Sequence, residues 1–80
     1  MNTQLHKYTE RLKRADRLIR QECTGTPKEF ANKLNISESH LYGFLDELKT
    51  MGLPLTYSKS KLTYLYTHPV TLHIDISVEA

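Results

Sequence analysis

The chain has 80 residues, of which 39% are hydrophobic, and a formal net charge of +2. A chain of this length forms one small domain, over residues 1–80, that removes about 60% of its unfolded surface from water on folding. The net charge is too small to indicate a nucleic-acid-binding protein by itself. No apolar run approaches the roughly 20 residues of a membrane helix, which excludes a membrane-spanning class.

The first predicted element is a long amphipathic helix over residues 3–22. Its apolar residues recur at three- and four-residue steps, as expected for one buried face: Leu5, Tyr8, Leu12, Ala15, Leu18 and Ile19. The rest of the helix surface is mostly charged, and residues 1–25 together carry six basic and three acidic groups. Such a surface is usually only solvated, but the alternative for Arg14 or Arg17 is to hold a phosphate.

A second, short helix is predicted over residues 27–34. Gly25 can adopt the left-handed backbone that ends the first helix. Thr26 then stands at the N-cap and Glu29 three residues later, which is a capping box. Pro27 occupies the first helical position, where a missing N–H costs nothing.

The third helix is predicted over residues 38–50. Asn35 and Ile36 form the preceding turn, with Ile36 between the two helices, and Ser37 is the N-cap. One face of the helix is apolar, through Leu41, Phe44, Leu45 and Leu48. Gly52 ends this helix. Two short helices joined by a tight turn form a helix-turn-helix pattern.

A basic β-hairpin is predicted over residues 53–66. Its strands are residues 53–57 and 62–66, which are rich in β-forming residues. The polar tip between them contains Lys59 and Lys61 and no acidic residue. Tyrosines of the strands could stack on bases, but packing of the hairpin against the third helix is favoured.

A final strand is predicted over residues 70–78. Its apolar residues alternate without a break with polar ones: Val70, Leu72, Ile74, Ile76 and Val78. One edge of this strand would be free, without proline or lysine to protect it, which favours a homodimer through strand pairing. The alternative is that the strand folds back over the first helix and the chain is a monomer.

The pattern resembles the winged helix-turn-helix domains of small bacterial DNA-binding proteins and DeoR-type repressors. The matching residues are Ile36, Ser37, Leu41, Leu45, Leu48 and Gly52, followed by the hairpin, or wing. The similarity covers roughly residues 5–66. It implies an α+β fold of three helices and a small antiparallel sheet, here with an additional C-terminal strand. It also implies double-stranded DNA as the partner and a role as a small cytoplasmic transcription regulator.

The candidate DNA-binding residues lie on the third helix and the wing: Ser37, Ser39, His40, Tyr42, Gly43, Lys59 and Lys61. In the resembling domains, arginines usually occupy the positions of Tyr42 and Gly43. Residues 26–52 have a net charge of −1, and the third helix has no arginine for bidentate contacts to guanine. The alternative function is therefore a winged-helix module that binds another protein.

No enzyme, metal or cofactor site is predicted. The four histidines lie on different elements without metal-ligand spacing, and the chain has no glycine-rich phosphate loop. No nucleophile and base are paired by their spacing. Cys23 is the single cysteine and cannot form an internal disulfide, which is consistent with the reducing cytoplasm.

Overall fold

The structure is a computed structural model, which describes the backbone of residues 3–70 and the side chains of residues 6–70. Three helices precede a two-stranded antiparallel sheet: α1 (Thr3–Arg20), α2 (Pro27–Lys33), α3 (Glu38–Thr50), β1 (Leu55–Ser58) and β2 (Thr63–Tyr66). The predicted α+β layout is confirmed at this level. The strand predicted at 70–78 lies outside the described residues except for Val70, which is in no strand.

The helix α1 ends earlier than predicted, at Arg20. Its last turn closes through bonds from the Glu22 and Cys23 amides to the carbonyls of Ile19 and Leu18, both at 3.0 Å. Glu22 takes the left-handed conformation there, with φ of 53°. The prediction that a glycine ends this helix was therefore wrong.

Gly25 has a different role, at the start of α2. Its φ is 77°, and a Cβ at this position would lie 2.5 Å from Glu29 Oε1. The carboxylate of Glu29 accepts a hydrogen bond from the Thr26 amide at 2.8 Å, and Thr26 Oγ1 accepts one from the Glu29 amide at 3.3 Å. The bond from the Thr26 backbone lowers the pKa of the Glu29 carboxyl. The predicted capping box is confirmed, and the bare glycine leaves room for it.

The turn between α2 and α3 has the predicted residues. Asn35 takes a left-handed conformation with φ of 59°, and the Ile36 amide donates to the carbonyl of Ala31 at 3.0 Å. Ile36 packs against the core as a half-buried residue. The Ser37 hydroxyl accepts from the His40 amide at 3.0 Å, so the predicted N-cap of α3 is confirmed. The order helix, tight turn, helix is present.

The hairpin is shifted slightly from its predicted position. Antiparallel pairing runs from Leu55 opposite Tyr66 to Ser58 opposite Thr63. Leu62, predicted to begin the second strand, has φ of 55° and is 55% exposed. A residue in the left-handed region cannot continue a strand, so Leu62 belongs to the tip.

One core joins all five elements. The buried apolar residues are Leu12, Ala15, Ile19, Phe30, Ala31, Leu34, Leu41, Phe44, Leu45, Leu48, Leu53, Leu55 and Tyr64. They include the predicted apolar stripe of α3 in full. The rings of Phe30 and Tyr64 lie 5.6 Å apart, so the hairpin packs against α2. The rings of Tyr8 and Phe44 meet edge to face at 6.3 Å and join α1 to α3.

Two buried threonines tie the α1–α2 connection to the sheet. The Thr24 amide donates to Thr63 Oγ1 at 3.0 Å, and the Tyr64 amide donates to Thr24 Oγ1 at 2.8 Å. The two hydroxyl oxygens lie 3.1 Å apart. Both residues are buried, so this pair satisfies backbone groups that water cannot reach.

The far end of β2 is held to α1 by a polar cluster. The Tyr66 hydroxyl donates to Asp16 Oδ1 at 2.7 Å, and Arg20 Nε donates to the same carboxylate at 3.0 Å. A second Arg20 nitrogen donates to the Val70 carbonyl at 2.6 Å. Burial and the bond to Asp16 raise the pKa of Tyr66. This cluster therefore places Val70 next to the C-terminal end of α1.

Candidate nucleic-acid interface

The predicted site residues of α3 lie together at its N-terminal half. Ser37, Ser39, His40, Tyr42 and Gly43 are all exposed, while the apolar stripe of the same helix faces the core. A Cβ at Gly43 would meet nothing within 4 Å. The outer surface of this half-helix is therefore open to a partner.

Carboxylates surround this surface. Glu38, Asp46 and Glu47 are exposed on α3, and the one basic residue of the helix, Lys49, stands in its last turn. The Tyr42 hydroxyl points toward Glu38 and lies 3.4 Å from Oε2. The exposed side chains of α3 therefore bring more negative than positive charge to any partner.

The two wing lysines differ from each other. Both are exposed, but Lys61 Nζ lies 3.3 Å from Glu22 Oε1 in an ion pair at the surface. Surface pairs of this kind contribute little to stability, but they lower the net charge of the tip. The structure shows no hydrogen bond or ion pair of the Lys59 side chain among the described residues. Lys59 is consequently the freer cation.

The hairpin tyrosines serve mainly in packing. Tyr64 is buried between Phe30 of α2 and Tyr57, with ring centroids at 5.6 and 4.9 Å, and burial raises its pKa. Tyr66 is bonded to Asp16. The Tyr64 ring is therefore not free to stack on a base, and the guanidinium of Arg20 lies over the Tyr66 ring at 5.5 Å from its centroid. Packing was the favoured interpretation, although Tyr64 meets a ring of α2 rather than one of α3.

A basic cleft between α1 and the α2–α3 turn was not predicted as a site. It has a volume of about 650 Å³, and its charged lining residues are Lys7, Glu10, Arg11, Lys13, Arg14 and Arg17. Leu34 and Asn35 line its other side. Arg14 and Arg17, the residues with an alternative phosphate role, both lie here. The helical spacing of these cations was visible in the sequence. The sequence did not show that Leu34 and Asn35 would lie opposite them.

A metal site and a membrane-spanning helix each set requirements for the described residues. Within them, no group of three His, Cys, Asp or Glu side chains is placed to hold a metal ion. Of the three helices described, none is long and apolar enough to cross a membrane. No protein-family model, curated protein or solved structure matches this chain.

Proposed function

We propose that this chain is a DNA-binding winged helix-turn-helix domain that acts as a small transcription regulator. In this proposal the N-terminal half of α3 enters the major groove, and the β1–β2 tip contacts phosphates beside it. The order of the elements supports this reading, because α2, a tight turn and α3 precede a hairpin with lysines at its tip.

The observation that carries the proposal is the open surface around Gly43. A glycine inside a helix costs roughly 1 kcal/mol relative to alanine. Nothing in the described chain approaches Gly43 closely enough to need a glycine. The helix surface at Gly43 is therefore open to a partner, and the major groove of DNA is wide enough to admit an α-helix.

The chemistry of the site favours weak base discrimination. Ser39, His40 and Tyr42 can exchange hydrogen bonds with base edges or phosphates. Without an arginine, α3 lacks the commonest specific contact, the bidentate bond to guanine. Its exposed carboxylates repel phosphate. Affinity should therefore come mainly from cations outside α3, and it should depend strongly on salt.

A protein partner is the second candidate. Tyr42 is 49% exposed in the middle of an acidic helix surface, and exposed tyrosines are enriched in protein interfaces. A basic partner would match the carboxylates of Glu38, Asp46 and Glu47. The two functions differ in how duplex binding should respond to variants of α3.

Binding to a fluorescent duplex of mixed sequence, titrated with salt, tests the role of the wing. We expect Lys59→Ala with Lys61→Ala to lower the salt slope by up to about 2, since each phosphate contact contributes about 0.9. Lys59→Ala alone should account for more than half of the change, because Lys61 is paired with Glu22. Lys49→Ala is the control outside the wing. A slope and an affinity that stay at the wild-type values in the double variant would remove the wing from the interface.

Two substitutions of Gly43 test the groove contact. Gly43→Ala should raise the free energy of unfolding by about 1 kcal/mol, because alanine has the higher helix propensity and its Cβ would meet no other atom. Gly43→Arg should raise duplex affinity if this surface faces phosphates. A folded Gly43→Arg variant that loses affinity would instead show that the glycine permits close approach. Unchanged affinity in both variants would place α3 away from DNA and favour the protein partner.

The homodimer and the cytoplasmic location stay predictions. A homodimer through residues 70–78 would place two copies of α3 for paired half-sites, as dimeric DNA-binding proteins require. Nearly all of that segment lies outside the described residues. A cytoplasmic location is expected from the proposed role as a transcription regulator, and the single cysteine, Cys23, is consistent with it.

A further inference from the structure

We propose that the basic cleft beside α1 binds the phosphodiester backbone of the DNA whose groove α3 enters. This inference rests on the proposed function and adds a second contact surface to it. The cleft is bounded by α1 and by Leu34 and Asn35 at the end of α2. It would supply the positive charge that α3 lacks.

The cleft carries a strong excess of positive charge. Its lining contains the side chains of five lysines and arginines against one carboxylate, that of Glu10. Arg20, the remaining basic residue of α1, lies outside the cleft and is paired with Asp16 at 3.0 Å. The positive charge of α1 that is not neutralised by a neighbour is therefore concentrated on this side.

The cations of the cleft are spaced along one helix face. Lys7 and Arg17 are ten residues apart on one helix, which corresponds to about 15 Å along its axis. A row of this length can meet more than one phosphate of a strand. Leu34 is the one apolar residue in the lining, whereas a protein partner would be expected to bury a more apolar centre. The cleft therefore fits a polyanionic backbone better than a protein surface.

The arginines are partly preorganised. A terminal guanidinium nitrogen of Arg14 donates to the Lys33 carbonyl at 3.2 Å, which fixes this side chain across the α1–α2 contact. Arg11 Nε is buried and has no hydrogen-bond partner among the described residues. A phosphate in the cleft that reaches the other nitrogens of this guanidinium would form charge-assisted hydrogen bonds, which are stronger than neutral ones.

The position of the cleft fits the groove contact. Asn35, which lines it, is two residues before Ser37, the N-cap of α3. The cleft thus opens next to the end of α3 that helix-turn-helix proteins direct at DNA. A strand bordering the groove entered by α3 would pass this opening.

The test uses Lys13→Gln with Arg17→Gln in the full chain. The structure shows no hydrogen bond or ion pair of either side chain among the described residues, so the variant should fold. Loss of two phosphate contacts should lower the salt slope of duplex binding by about 1.8 and the affinity at least about tenfold at 0.1 M salt. Lys49→Glu is the control, because it lowers the net charge by the same two units outside the cleft. Circular dichroism checks the fold of both variants.

The possible results separate this inference from the proposed function. A cleft variant that keeps the wild-type slope and affinity, while the wing variant loses both, would overturn the cleft and leave the proposed function standing. An equal loss in Lys49→Glu would reduce the effect to net charge and also overturn it. A wild-type protein that does not bind the duplex even at 0.05 M salt would overturn both. Tighter binding of a poly-glutamate peptide than of the duplex, lost in the cleft variant, would assign the cleft to an acidic protein.

Discussion

Phe30→Ala is expected to lower the free energy of unfolding by about 3–5 kcal/mol, the usual cost of truncating a buried aromatic ring. Phe30 is fully buried, and its ring packs against Tyr64 of the hairpin. The stability of an 80-residue domain is itself roughly 4–12 kcal/mol, at 0.05–0.15 kcal/mol per residue. The substitution should therefore remove at least about a quarter of the stability of the domain. Urea unfolding followed by circular dichroism measures the change.

The matched control is Tyr42→Ala, which truncates an aromatic ring that is half exposed on α3. It should change the free energy of unfolding by about 0.5 kcal/mol or less, as surface substitutions usually do. A cost below about 1 kcal/mol for Phe30→Ala would contradict the packing of α2 against the hairpin. In that case the wing would not be held in place by α2.

Thr63→Val should lower the free energy of unfolding by about 1–3 kcal/mol, the cost of a buried hydrogen-bonding group left without a partner. Valine has nearly the same shape, but it cannot accept the bond from the Thr24 amide. Amide hydrogen exchange gives a direct readout, because the Thr24 amide should be protected in the wild type. Its exchange should become faster in the variant.

Two variants make this prediction specific. Thr63→Ser keeps the hydroxyl and should retain most of the Thr24 protection. Thr56→Val places the same residue at an exposed position of the neighbouring strand and should change stability by about 0.5 kcal/mol or less. Equal protection of the Thr24 amide in wild type and Thr63→Val would show that the threonine pair does not hold the α1–α2 connection.

Local sequence signals predicted the starts of α2 and α3. The capping box of Thr26 and Glu29 and the cap of Ser37 involve residues only three positions apart, so their spacing is visible in the sequence. The end of α3 was also predicted from a single residue, Gly52. Its φ is 98°, a conformation that glycine adopts without strain.

Features that depend on distant parts of the chain were missed. Glu22 and Leu62 both adopt left-handed conformations. Glutamate and leucine rarely do so, and the conformational preferences of these residue types therefore do not predict them. Thr24 and Thr63 are 39 residues apart, and their bond exists only once the sheet has docked. The cleft was missed for the same reason, since Asn35 comes from a different element than the cations of α1.

The proposed insertion of α3 into the major groove is tested most directly by backbone amide chemical shifts of the labelled protein titrated with a mixed-sequence duplex. We predict the largest shift changes at residues 39–43 and 59–61, with smaller changes along the cleft side of α1. Saturable changes at these positions that disappear at high salt would support insertion of α3 with contacts from the wing. Saturable binding without chemical-shift changes at the amides of residues 39–43 would contradict it. The ring currents of the bases and the charge of the phosphates change the shifts of any amide that lies in the groove.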